Sequence, residues 1–205
     1  MDTKSAVTLL VTVLLALLGY LATYLNNLRL AQRRERLERI NRQLEKLYGP
    51  LFSLVRASTI TWDAYRQTIC RRGPYWDSEN PPTKDEAVEW RLWLESVFMP
   101  LNEQMAGIII GNADLLDEPE MPKCLQVLCA HVFAYRSVLK QWEQGDYTRN
   151  WSVINFPREE LLLYTEHTFK RLKAEQSRLL GVHAEKPWSN KGLHPEPIHF
   201  PDRPR

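Results

Sequence analysis

Glycine-rich phosphate loops, the G-x-S-x-G nucleophile elbow and the C-x-x-C redox pair are all missing from this chain. Without them, no local pattern announces nucleotide hydrolysis, serine acyl transfer or dithiol exchange. Cysteine is scarce: Cys70, Cys124 and Cys129 are an odd set. That fits reduced thiols in a cytosol-like compartment and no disulfide framework. Strand signals are nearly absent and no internal repeat stands out. The formal net charge is only +2, and no second basic cluster interleaves with aromatics, which argues against nucleic acid as a partner.

A further absence is the most informative one. From Ala6 to Leu25, twenty consecutive residues carry no charge. At ~1.5 Å per residue they make a helix of roughly 30 Å, the thickness of a bilayer's hydrocarbon core. Eight leucines stand in this run, among them Leu10, Leu14, Leu18 and Leu25. Each favours insertion by about 0.3 to 0.6 kcal/mol. The leader Met1-Asp2-Thr3-Lys4-Ser5 has no net positive charge, and Leu21-Ala22-Thr23-Tyr24 offers no small-residue cleavage site. A retained anchor is therefore expected over 1–27 in preference to a cleaved signal peptide.

A basic stretch follows at once. Between residues 28 and 47, seven arginines and lysines face three glutamates, a local charge of +4. Positive flanks stay on the cytoplasmic side, so the C-terminal part is expected there. Arg29, Arg33, Arg34 and Arg36 are the candidates for lipid head-group contact, at about 1 kcal/mol per basic residue near an anionic surface. Glu35–Arg39 and Glu38–Arg42 have the spacing for intrahelical ion pairs, so the farther arginines are expected to pair with glutamates.

Over 28–48 Leu30, Leu37 and Leu44 recur every seven residues, with Ile40 and Leu47 between them. Two clean heptads fall short of a coiled coil, and packing of the stripe on the chain's own body is favoured over a parallel stalk. Gly49-Pro50 is expected to end or kink this helix. A second helix is expected to about Cys70, followed by a proline-bracketed polar loop. Thr83-Lys84-Asp85-Glu86 reads as a capping box. The helix it opens is expected to kink or restart at Pro100 and to resume as far as Ile110. Further helices are expected from Pro122 to about Gln144 and from Arg158 to Leu180, the last capped by Gly181. The fold class is thus all-α: one N-terminal transmembrane helix continuing into a cytosolic bundle of about four helices over 49–181. The proline-rich tail 182–205 is expected to be unfolded.

No constellation for chemistry emerges. Cys124 and Cys129 are five apart, about 140° round a helix at 100° per residue, so they do not share a ligating face. Their apolar neighbours assign them to core packing, and no metal or cofactor is expected. His131, beside them, reads as a hydrogen-bonded core or edge histidine. His167 has Glu160, Glu166 and Lys170 nearby, but a di-metal site needs paired Glu-x-x-His motifs. His131 and His167 are the catalytic candidates for a membrane-tethered hydrolase or ribonuclease. The ribonuclease version needs an Arg-to-His pair closer than the nine positions from Arg158 to His167. The acidic run Asp114 to Glu120 lacks a calcium-loop rhythm. Trp62, Tyr65, Trp90, Trp93, Tyr135 and Trp142 fall at helical intervals and are assigned to the core. Trp76 and Trp151 sit in polar loops and are the partner-binding candidates.

The phrases Leu44-Glu-Lys-Leu-Tyr-Gly-Pro-Leu51, Val97-Phe-Met-Pro-Leu-Asn102, Glu120-Met-Pro-Lys-Cys-Leu125, Ala130-His-Val-Phe-Ala-Tyr135 and Ile154-Asn-Phe-Pro157 together resemble a family of small, mostly helical proteins. Its members often carry one N-terminal span and have no assigned activity, so the resemblance implies a fold and no site residues. In architecture alone the chain is similar to single-span helical accessory proteins of RNA-guided phage defence that assemble into membrane pores.

The expectation is a single-pass, membrane-anchored interaction or assembly protein at the cytoplasmic face. Its partners would be lipids and either a second copy or another protein. An oligomeric pore or effector is the first alternative, the tethered hydrolase or ribonuclease the second.

Overall fold

The computed structural model describes residues 2–68 and 81–182, with backbone alone for residues 4–9. Every regular element among them is helical: α1 (Thr3–Gln43), α2 (Gly49–Thr68), α3 (Lys84–Trp93), α4 (Met99–Gly111), α5 (Lys123–Glu143) and α6 (Arg158–Leu180). Cys70, Trp76 and the proline-rich tail beyond Val182 lie outside the described residues.

At both sites where an end, a kink or a restart is expected, the helix does not end. Gly49-Pro50 and Met99-Pro100 each follow a π-helical turn, Leu44–Tyr48 and Leu94–Phe98, and the helix continues through both. A proline lacks the N–H for the usual helical bond and crowds the carbonyl four residues back. Here the preceding turn takes in one extra residue, so the Gly49 N–H reaches Leu44 O and the Met99 N–H reaches Leu94 O. Widening the turn relieves the proline clash without breaking the helix. Thr3 to Thr68 is thereby one continuous helical rod, with a contour of roughly 100 Å at ~1.5 Å per residue.

The two turns also correct the expectation that the chain has no internal repeat. Leu44-Glu-Lys-Leu-Tyr-Gly-Pro-Leu51 and Leu94-Glu-Ser-Val-Phe-Met-Pro-Leu101 align position for position, fifty residues apart, and adopt the same local structure. A cyclic aromatic precedes the variable residue in each, and both Tyr48 and Phe98 are buried. Gly49 is needed in the first copy, because a Cβ there would collide with the Leu44 carbonyl. Met99 occupies the second copy with ψ −42°, against −57° for Gly49.

Capping follows the sequence signals elsewhere. Thr83 accepts from the Glu86 N–H at 3.2 Å and Glu86 accepts from the Thr83 N–H at 2.7 Å, closing the capping box. Gly181, at φ 71°, ends α6 in the left-handed region, where a side chain would be strained.

The rod changes character along its length. From Leu10 to Leu30 its large apolar side chains are 42 to 72% exposed, while Ile40, Leu47, Leu51, Val55 and Tyr65 are buried. The heptad stripe therefore packs on the chain's own body from Ile40 onward. This apolar end is long and apolar enough to cross a membrane, and none of it is buried inside the protein.

The α6 helix runs antiparallel to the rod. Arg33 meets Leu179, Asn41 meets Gln176, the Phe52 and Phe169 rings stack at 4.9 Å, and Asp63 meets Arg158. The α3–α4 helix also runs antiparallel to it, with Trp90 and Trp93 beside Tyr65 and Leu115 beside Gln43. The α5 helix packs between α4 and α6. One continuous core results, centred on residues such as Leu51, Met105, Leu128 and Leu161.

Candidate functional site

Spacing by four residues puts side chains on one face of a helix. Ser58 and Trp62 are so related on α2, and His131 and Tyr135 on α5. Trp90, Leu94, Phe98 and Asn102 form a longer row through the second π turn. These three faces line a cavity of about 290 Å³ that opens to solvent and is flanked on its remaining side by Trp151, Ser152, Ile154, Asn155, Phe156 and Arg158. Its walls are aromatic and brace one another: Trp62 meets Trp90 and Phe98 edge-on at 5.9 and 5.6 Å, and His131 meets Phe156 edge-on at 5.7 Å.

The loop that flanks the cavity is held by side chains reaching its carbonyls. Trp90 Nε1 and Tyr135 OH both donate to Asn150 O, at 3.2 and 2.9 Å. Trp142 Nε1 donates to Arg149 O at 2.8 Å, and Arg91 donates to the Asn150 side-chain oxygen at 3.2 Å. Buried indoles and phenols need partners, and here they find them in a single loop, which fixes its path. Burial pushes the Tyr135 phenol well above its ordinary range.

Polar groups inside the cavity are few. His131 Nδ1 lies 2.5 Å from Ile154 O, and a carbonyl only accepts, so Nδ1 carries the proton and Nε2 the lone pair. Burial lowers the His131 pKa, against the opposing effect of that hydrogen bond. Asn102, His131 and Ser58 are only 5, 7 and 8% exposed. Among the described residues, the side chains of Asn102 and Ser58 and the Nε2 of His131 have no hydrogen-bond partner. Arg158 is the charged residue at the wall, and it is committed to the Asp63 carboxylate and to Thr59 O. Among the described residues, no carboxylate lines the cavity.

A second hollow, about 480 Å³, lies between the rod and α6 and includes Glu35, Arg36, Arg39 and Glu175. Its charges are largely spoken for. Arg36 pairs with Glu175, and Arg39 donates to Leu116 O at 3.3 Å. Nearby, a chain of hydrogen bonds runs from the Asp117 N–H to Tyr48 OH, on to Tyr164 OH and into Glu118, with steps of 3.3, 3.1 and 3.0 Å. Desolvation raises the pKa of both phenols.

The residues singled out from sequence fall in different places. His131 lines the aromatic cavity. His167 is exposed on α6 and is not among the lining residues, so the two histidines do not share a site. Trp151 is half exposed and stands at the cavity rim. Of the four head-group candidates, Arg33 and Arg36 bond to α6, whereas Arg29 and Arg34 are exposed and make no hydrogen bond or ion pair among the described residues. Arg42 and Glu38 pair loosely at 4.0 Å. Ala6 lies in the backbone-only stretch; Leu10, Leu14, Leu18 and Leu25 are exposed. Cys124 and Cys129 are half-buried, with burial raising both thiols above their usual range. Among the described residues, no three His, Cys, Asp or Glu side chains converge as metal ligands would.

Sequence reasoning missed the cavity. Its signal was Asn102, a polar residue ending the four-residue row from Trp90, on a face otherwise apolar.

Comparison with family models, with curated proteins and with solved structures gives no match to this chain. The phrases that suggested a family stand on local sequence alone.

Proposed function

We propose that this chain is a single-pass membrane-anchored interaction protein, its helices forming an up-and-down four-helix bundle held at the cytoplasmic face. One observation carries the reading. Within a single unbroken helix, the side chains pass from wholly unpacked and apolar to buried in a shared core. An apolar helical surface of that extent is costly in water and favourable in lipid. The +4 flank supplies the orientation, and Arg29 and Arg34 are the residues left to meet head groups. Because the rod is continuous, the body is held at a fixed distance from the bilayer and not on a tether. Trp151, at the cavity rim, is the surface aromatic best placed to meet a partner.

The hydrolase alternative draws no support from the cavity, where, among the described residues, no carboxylate lines the wall with His131. General acid–base work by a histidine is ordinarily completed by a second group within hydrogen-bond reach.

The test uses the full chain with its own cysteines replaced and a single cysteine introduced at Asp2 or at Trp151. A membrane-impermeant maleimide should label position 151 only in inverted vesicles and position 2 only in right-side-out ones. Crosslinking in the same membranes should trap a second copy or another protein. Reversed labelling would overturn the orientation, and a chain that stays uncrosslinked would overturn the interaction role.

A further inference from the structure

We infer that the aromatic cavity is a binding site for a small, neutral, bicyclic heteroaromatic molecule whose ring edge offers both a hydrogen-bond donor and an acceptor. Size comes first. A cavity of about 290 Å³ has room for roughly ten waters at the ~30 Å³ each takes in the liquid, which is ample for two fused rings.

Shape and polarity narrow the class further. The walls are the faces and edges of Trp62, Trp90, Phe98 and Phe156, which favour a flat π-system over a branched aliphatic one. Three polar side chains stand here together on a largely aromatic wall, and among the described residues the Asn102 carboxamide, the Ser58 hydroxyl and the His131 Nε2 bond no other side chain or carbonyl. The Nε2 of His131 can only accept, because its Nδ1 proton is spent on Ile154 O. The Asn102 carboxamide both donates and accepts, and so does the Ser58 hydroxyl. A ligand satisfying all three must present an N–H to His131 and an acceptor–donor edge to Asn102. Pockets of this kind, mostly apolar with a few convergent polar groups, are how small-molecule sites are built.

Charge excludes the ionic alternatives. Among the described residues, Arg158 is paired with Asp63 and no carboxylate lines the wall, so neither an anion nor a cation finds a free counter-charge there.

The experiment titrates the full chain in detergent with quinazolin-4-one, adenine, adenosine, naphthalene and benzoate, following the fluorescence of the tryptophans that line the wall. Quinazolin-4-one and adenine should give saturable changes. Naphthalene, of similar size but without polar edges, should bind at least tenfold more weakly. So should benzoate, and so should adenosine, in which the ring N–H of adenine is replaced by the glycosidic bond. Asn102→Leu should lower the affinity for adenine about tenfold, the equivalent of ~1.4 kcal/mol. Its melting temperature should be unchanged or higher, since the amide bonds no protein group among the described residues. If Asn102→Leu does not fold, Ser58→Ala should give a threefold or greater loss. No saturable response to either heterocycle would overturn the assignment. Equal affinity for naphthalene or benzoate, or wild-type affinity in a folded variant, would overturn it as well. None of these outcomes depends on the membrane orientation proposed above.

Discussion

The guanidinium of Arg33 donates through both Nε and Nη2 to the Leu179 carbonyl, at the last turn of α6. A cation at a helix C-terminus meets orphan carbonyls and the negative end of the helix dipole. The contact ties the final helix to the rod just beyond its apolar segment, with Arg36–Glu175 one turn farther along. Two arginines that look lipid-directed in sequence are thus parts of the body's own closure.

Arg33→Gln should therefore destabilise the body by about 1 kcal/mol, the scale of an exposed charge-assisted terminal contact. Arg34→Gln, which removes no such contact, should leave the melting temperature unchanged. It should instead weaken association with anionic vesicles by about 1 kcal/mol. Paired thermal melts and vesicle partitioning separate the two roles.

Gly49→Ala places a Cβ against the Leu44 carbonyl inside the first π turn. The turn must open or revert, and a changed register would rotate the flanking buried residues Leu47 and Leu51 away from the core. A loss of about 2 to 4 kcal/mol is expected in chemical denaturation. Met99→Ala, at the matching place of the second turn, should keep that turn intact and lose only packing. Amide exchange across 94–98 would check this.

Stability should fall as pH drops below about 6.5 on account of His131. Burial lowers its folded-state pKa, so just below the ordinary value the unfolded chain takes up a proton that the folded chain refuses. The contribution is fully present above the ordinary pKa and is lost as pH falls to the folded one. His131→Asn keeps a donor toward Ile154 O and does not titrate. It should flatten the unfolding free energy just below pH 6.5, where one differential proton is worth up to about 1.4 kcal/mol per pH unit. Denaturation series on both proteins at matched pH test the slope.

Tyr164→Phe interrupts the hydrogen-bond chain from Asp117 through Tyr48 to Glu118. It leaves the Tyr48 hydroxyl without its acceptor in a partly buried place, a cost of about 1 to 2 kcal/mol. Glu118→Gln in the Tyr164→Phe background should add little, because the two residues act through one bond. A double-mutant cycle measures that coupling.

Much of the helical layout was legible in sequence, where capping chemistry and periodicity agree. The Thr83–Glu86 box, the Gly181 cap and the Arg158–Leu180 span rest on local signals that the fold leaves in force. The prolines were misleading because their effect depends on the turn before them. Pro50 and Pro100 read as ends, kinks or restarts, but an extra residue in the preceding turn absorbs the clash and the helix runs on. Recognising Leu44–Leu51 and Leu94–Leu101 as one repeated phrase would have suggested that both do the same thing. The cavity was invisible for another reason. Its walls come from three helices and a loop, and Trp62, Trp90 and Tyr135 look like ordinary core residues until their neighbours are placed.

Extraction of membranes from cells making the full chain, with alkaline carbonate, bears most directly on the lipid-embedded rod. Peripheral contacts through Arg29 and Arg34 dissolve in that wash, whereas a helix spanning the hydrocarbon does not. The chain should remain entirely in the pellet and leave it only with detergent. Recovery of the intact chain in the carbonate supernatant would contradict the account.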